Sequence, residues 1–322
     1  MRGSGEIFEA SVGVTVPFYR FAKHPVRCIV RTNRRSAVVY VNYAHLYHAG
    51  NFADVHKHLV LTALLTRLSE KPSPWFYLDT HAGEGLYTLK AGTRGARGEF
   101  ETGVGPIFHA PSDSNIVRAY QSLLHGFNPE GILIRYPGSP LLAASLARPA
   151  DRMIAIECVP ERAQQLRSHL GSRSGGVHCR DGYEALGAFL PPKEQRGVIL
   201  IDPPYESIRE TQHLLHVLPH ALSRFPRGIY VIWHPFVDPA FVSGLRRRLQ
   251  TLGRVCFLDW LTTRRQGLRG SGLAVFNMPY RLGSELEDVW HKLGDLYKDS
   301  LGPVEFTQTG ALPAGDPLRI RG

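Results

Sequence analysis

Short apolar runs without polar alternation recur along the chain, at 75–79, 153–157, 197–202, 229–233, 255–260 and 273–278, with a briefer one near Val177. Such runs fit strands buried on both faces. Between them, apolar residues recur three and four positions apart, which predicts helices over about 51–70, 114–125, 141–147, 209–223, 241–252 and 285–297. Strands alternating with helices predict a mostly parallel, doubly wound α/β sheet. The last two strands are separated by a short loop and predict an antiparallel hairpin at the end of the sheet, followed by a short tail.

The pattern fails in two places. After the strand ending at Asp79, the next buried strand begins only at Met153, more than seventy residues on. A βαβ unit normally returns within a few tens of residues. The stretch of about 90–137 therefore reads as a small helical insertion, carrying a Gly/Arg-rich loop at 92–98 and ending at Tyr136-Pro-Gly-Ser139-Pro. It has two readings, substrate recognition or a structural lid. Residues 1–40 show neither a capped helix nor a sustained apolar stripe, and lack the order of segments a signal peptide needs. They are expected to be a poorly packed basic arm, or to precede a natural start near Val41, with the main domain running over 41–322.

Length and composition suit a globular protein, with 43% hydrophobic and 20% charged residues in a chain of 322. No apolar run is long enough to span a bilayer. The four cysteines, Cys28, Cys158, Cys179 and Cys256, have no paired spacing. They predict reduced thiols rather than a zinc site or disulfide frame. A net charge of +10 points to a polyanionic partner, nucleic acid first, although seven Arg/Lys against two Glu in residues 1–40 supply half of the excess.

Chemistry concentrates at Gly197-Val-Ile-Leu-Ile-Asp202-Pro203-Pro-Tyr205. Prolines cannot donate to a sheet ladder, so the strand ends at Asp202. Ligands of open α/β sheets bind at the carboxyl ends of strands. An ionised Asp202 only accepts hydrogen bonds, and the Pro203 carbonyl is a second acceptor. Together they suit the two hydrogens of an exocyclic amine, and Tyr205 offers a face on which a base can stack. The plainer alternative is a strand-terminating turn.

Other stretches add candidates. Tyr43, His45, Tyr47 and His48 crowd a loop before Asn51, which caps a helix with Asp54 in capping-box spacing. That loop can clamp a base or close over a cofactor; histidines on a solvated helix start are the alternative, for His56 above all. Asp79-Thr-His81-Ala-Gly83-Glu-Gly85 is a strand running into a glycine turn, without the third glycine of a dinucleotide fingerprint. Glu157 ends its strand where an acid can take ribose hydroxyls. Asp181, followed by Gly182, lies where an acid can reach an adenine amine. The basic loop 264–272 has phosphate contact and a solvated hairpin tip as its two readings.

Asp-Pro-Pro-Tyr at a strand end resembles the signature of amino-methyltransferases acting on adenine N6. Together with His48-Ala-Gly-Asn51…Asp54-Val-His-Lys57-His58, Asp79-Thr-His81-Ala-Gly83…Gly85 and Tyr136-Pro-Gly-Ser139-Pro, it makes the chain from about Tyr43 onward resemble the RlmJ family. That resemblance implies a Rossmann-like class I methyltransferase fold with an antiparallel last strand. It also implies a cytoplasmic, monomeric enzyme that methylates adenine N6 of 23S ribosomal RNA with S-adenosyl-L-methionine, using no metal and no membrane. By the same resemblance, His58, His81, Gly83, Gly85, Ser139, Glu157, Asp181 and Gly182 are expected at the cofactor. Asp202 is expected as the acid/base residue, with Pro203 and Tyr205 beside it and Tyr43, His45 and Lys57 at the catalytic mouth. The competing expectations are an N6-adenine DNA methyltransferase, a catalytically silent nucleic-acid-binding relative, a methyltransferase of protein glutamine, disfavoured by Asp at 202, and a nicotinamide dehydrogenase, disfavoured by the missing glycine.

Overall fold

The computed structural model describes residues 26–32, 35–41, 48–89, 98–263, 268–301 and 304–310. In the first of these, β1 (Val26–Thr32) and β2 (Arg35–Val41) form an antiparallel hairpin in a two-stranded sheet of its own, pairing Val26 with Val41 and Ile29 with Val38. The sequence had shown no element there. Two runs rich in β-branched residues pair locally, and such pairing needs neither helix caps nor a helical stripe.

Helix α1 (Phe52–Ser69) starts where expected, with the Asn51 side chain accepting the Asp54 amide at 3.0 Å. Asp54 does not complete the expected capping box; its carboxylate accepts from the Gly50 amide at 2.9 Å. The helix is buried on nearly every side, packed by the sheet and by the helices Asn115–Phe127, Ser139–Leu146 and Leu282–Leu301. The expectation of solvated histidines fails here, since His56 and His58 are 0% and 1% exposed.

Strand β3 (Phe76–Asp79) opens the main sheet. The chain then leaves it through β4 (Leu86–Thr88), α2 (Glu99–Thr102), α3 (Val104–His109) and α4 (Asn115–Phe127), and returns through β5 (Arg135–Pro137). β4 and β5 pair antiparallel, setting Tyr87 opposite Tyr136, so the insertion is clasped at its base. The rest alternates: α5 (Ser139–Leu146), β6 (Arg152–Ile156), α6 (Pro160–Leu170), β7 (Val177–His178), α7 (Gly182–Phe189), β8 (Gly197–Ile201), α8 (Ile208–Arg224), β9 (Ile229–Pro235), α9 (Pro239–Gln250), β10 (Val255–Thr262), β11 (Gly270–Phe276), α10 (Leu282–Leu301) and β12 (Val304–Gly310).

The eight strands lie in the order β12-β10-β11-β9-β8-β3-β6-β7. β7, β6, β3, β8 and β9 run parallel, and β11 is antiparallel to both β9 and β10. The hairpin formed as expected, but it is not the edge. β12, expected as tail, pairs antiparallel with β10 and covers it. The apolar run of β8 is buried on both faces: Val198 and Leu200 belong to the core under α1 and α10, while Ile199 and Ile201 belong to the core under α7, α8 and α9. Each such side chain contributes roughly 2 kcal/mol of burial. The chain passes from β3 outward to β6 and β7, then back to β8 on the other side, so the order reverses between β3 and β8, where a crevice opens at the carboxyl ends of the strands.

Candidate active site

Two aspartates stand at that crevice. Asp79 ends β3 and is fully buried. Residues two apart on a strand share a face, so Tyr77 reaches it and donates its hydroxyl at 2.7 Å. Ser139, at the start of α5, donates to the same oxygen at 2.7 Å, and the His81 amide bonds the other at 3.3 Å. Burial pushes the Asp79 carboxyl up to about 6, with the Asp202 charge pushing the same way and these donors opposing. Asp79 appeared in the sequence motif without a role. The signal that marks it is an acid ending a buried strand two residues after a tyrosine.

Asp202 follows β8 and meets the Lys57 ammonium, whose other partner is Asp54 at 3.0 Å. Burial alone would lower the Lys57 pKa, but the carboxylates of Asp202 and Asp54 outweigh it and hold the ammonium above its ordinary value. Lys57 is therefore a fixed cation between two acids. The sequence marks Asp54 as a cap, and its spacing of three from Lys57 on one helix face is the local sign of this pairing. Pro203 is buried beside Asp202. Tyr205 has φ +51 and donates its hydroxyl to the Trp233 carbonyl at 2.7 Å.

The expected cofactor residues converge from four elements. The turn after β3 lies over the end of β6, with the Ala82 amide bonded to Ile156 O at 2.8 Å. Gly83, at φ +63, sits where a Cβ would stand 2.3 Å from the Tyr87 hydroxyl, so a side chain here would be strained and would displace that hydroxyl. Gly85 accepts the Gly138 amide at 2.7 Å, which brings Ser139 to the turn. His81 bonds Thr80 through Nδ1 at 2.8 Å, and burial lowers its pKa to about 4 against the pull of Asp181 and Asp202, leaving a neutral imidazole. Glu157, beyond β6, accepts the Val159 amide at 2.8 Å, and burial raises its pKa. Asp181 caps α7 through one carboxylate oxygen, at 2.8 and 2.9 Å from the Tyr183 and Glu184 amides. A Cβ on Gly182 would stand 2.2 Å from Thr80 O, so this backbone closes directly on the β3 turn. His58 is buried on α1, bonded through Nδ1 to the Tyr136 hydroxyl at 2.7 Å and stacked on its ring. Tyr43 and His45 lie outside the described residues, as do Arg264 and Arg265.

Acids gather here: Asp79, Glu157, Asp181 and Asp202 stand at or just beyond successive strand ends, with the Lys57 ammonium on Asp202 and the Arg162 charge near Glu157. Buried acids whose donors are mostly neutral hydroxyls and amides suit a cationic ligand, and disfavour the pyrophosphate of a dinucleotide. A sulfonium cofactor with an ammonium group fits that charge. Among the described residues no group of three or more His, Cys, Asp or Glu is placed to hold a metal, no disulfide links Cys158, Cys179 and Cys256 to one another, and no helix is long and apolar enough to cross a membrane.

The reversed strand order, the glycine turn on β3, the acids at successive strand ends and the antiparallel β11 define a Rossmann-like methyltransferase. The crystal structure of a protein from Legionella pneumophila (Philadelphia 1) shares this fold at a TM-score of 0.72 and 32% identity, covering 82% of this chain and 98% of that one. A family model described as ribosomal RNA large subunit methyltransferase D, RlmJ, matches residues 72–307, and the chain belongs to that family. It is 35% identical over 255 residues to ribosomal RNA large subunit methyltransferase J of Escherichia coli K12, and 34% identical over 256 residues to the protein of the same name from Haemophilus influenzae Rd. Each alignment spans 77% of this chain and 91% of the relative.

Proposed function

We propose that this protein transfers a methyl group from S-adenosyl-L-methionine to N6 of an adenine in 23S ribosomal RNA. The observation that carries the reading is the pair of aspartates at the ends of β3 and β8, one in a cage of neutral donors and one on the Lys57 ammonium, with the Tyr205 ring following the second. Family membership supports the ribosomal substrate, and that substrate implies a cytoplasmic site of action.

When bound, the cofactor supplies an electrophilic methyl group. Asp79, His81, the backbone of Gly83 and Gly85, Glu157, Asp181 and Gly182 would hold it, with Ser139 steadying Asp79 and His58 holding Tyr136. Asp181 spends one oxygen on the α7 cap and has the other for an adenine amine. Tyr205 takes the face of the target base after it leaves the RNA stack. Lys57 binds Oδ2 of Asp202 and leaves Oδ1, with the Pro203 carbonyl, to accept both N–H bonds of the target amine. With both hydrogens held, the nitrogen lone pair would be left to face the electrophilic methyl group, and catalysis is mainly positioning and electrostatics. Lys57 is not a base here, because its two acids keep it protonated. A carboxylate is in general a weak base, so the reaction's proton leaves to water after transfer.

The test is methyl transfer from labelled cofactor to naked 23S RNA, duplex DNA and protein, followed by nucleoside mass analysis. N6-methyladenosine in RNA alone is expected, and absent from the Asp202→Ala protein. Label in DNA or protein with none in RNA would overturn the reading.

A further inference from the structure

The loop that presents Tyr205 is held by a side chain the catalytic scheme above does not use. At φ +51, Tyr205 adopts a left-handed conformation that a bulky residue keeps only when its surroundings over-determine it. Its ring end is fixed by the hydroxyl bond to Trp233 O and by packing near Trp233 and Phe241, each with its ring centre 5.9 Å away. Its backbone end is fixed one residue later. The Glu206 amide donates to Oε2 of Glu210 at 2.7 Å, and the Ser207 amide bonds the same carboxylate. Glu210 stands in the first turn of α8, so the loop is tied to a helix packed on the sheet.

We infer that Glu210 is a positioning residue for methyl transfer, its carboxylate clamping the backbone after Tyr205 and so setting the attitude of the ring against which the target base stacks. This rests on the function proposed above. The titratable and charged groups around Glu210 are Glu206 on the loop, Asp181 and Tyr183 from the α7 side, and Tyr205 itself. His213, one turn along α8, lies against Tyr183. Burial pushes the Glu210 carboxyl up to about 7, its two amide donors pull it down, and Glu206 and Asp181 push it up. The charged form accepts both amides in charge-assisted bonds. The protonated form turns one oxygen into a donor, and the clamp loosens as pH falls through about 7.

Methylation of RNA is measured from about pH 6 to about pH 9 for the wild type, Glu210→Gln, Tyr205→Ala and the double variant, alongside cofactor affinity and thermal unfolding. Glu210→Gln is expected to lower kcat/KM for RNA about tenfold at the alkaline end, where a charged acceptor has been replaced by a neutral one. Cofactor affinity should stay at the wild-type value. The wild-type profile should fall through pH 7 and meet the flatter Glu210→Gln profile. In the Tyr205→Ala background Glu210→Gln should cost nothing more, because both act through one ring. A Glu210→Gln profile equal to wild type, or a full tenfold loss on top of Tyr205→Ala, overturns the inference. If Glu210→Gln does not fold, tyrosine-specific carbon labelling of the wild type decides: a Tyr205 resonance that moves with a midpoint near pH 7 supports the clamp, and one that does not move overturns it. If the wild type transfers no methyl to RNA, the proposed function falls, while the Tyr205 titration still judges the clamp.

Discussion

Asp79 and Asp202 stand at the carboxyl ends of adjacent parallel strands, and their surroundings separate them. Asp79 is sealed among Tyr77, Ser139 and the His81 amide, with no cation on it and a carboxyl pushed up to about 6. Asp202 is more open, its side chain 18% exposed, and an ammonium held by a second acid sits on it. One residue type at equivalent places in the sheet thus becomes two devices. The sealed acid lacks a counter-charge that a cationic ligand brings. The paired acid is already neutralised and has a free oxygen to accept hydrogen bonds. The neighbours make the difference: Tyr77 on β3 itself and Ser139 from α5 around one acid, Lys57 from α1 on the other.

The largest effect should come from Asp202→Ala, which removes the amine's charged acceptor. Methyl transfer should fall about a thousandfold or more, while calorimetry finds the cofactor bound as in wild type. A small loss would mean that the two aspartates do not differ as described. Lys57→Met should follow, at about a hundredfold in kcat, because Asp202 and Asp54 are then left without their cation. Asp54→Asn should cost about tenfold, since Lys57 keeps Asp202 but loses its second anchor.

Asp79→Asn addresses the other side of the comparison, and its expected readout is binding. Affinity for the cofactor should drop about tenfold above the titration of Asp79. In the wild type, affinity should rise as pH passes upward through about 6, where Asp79 takes up its charge, and Asp79→Asn should abolish that rise. Stability should move the opposite way. A carboxyl at about 6 in the fold and 3.8 when unfolded makes the native state bind the extra proton between those values. Its contribution is therefore lost as pH rises through that window, a gap worth roughly 3 kcal/mol. The ligand-free Asp79→Asn protein should melt higher than wild type at pH 7 by scanning calorimetry.

The smallest effect lies outside the site. Burial lowers both His56 and His234 to about 3. A folded-state pKa below the ordinary 6.5 means that the unfolded chain takes the proton first, so stability is lost as pH falls from about 6.5 toward 3. His234→Leu removes one such group from the core, and its unfolding temperature should decline less between pH 6.5 and pH 4.5 than that of wild type. An equal decline would exclude His234 as a source of acid lability.

Much of this was legible along the chain, because it depends on local order. The unbroken run before Asp202 fits a strand buried on both faces, and two prolines end it. Asn51 announced the start of α1. Four separated motifs in one order were enough to indicate the family. What stayed hidden depends on distant partners. Residues 304–310 look like a tail until β10 offers an unpaired edge. His56 looks like a surface residue until Ser271, Trp260 and Trp290 close around it. Sequence spacing could place Lys57 beside Asp54, three residues away on one helix. Only the packing of α1 against the sheet brings that ammonium to Asp202, 145 residues further on, and a through-space charge contact leaves no periodic trace in the chain.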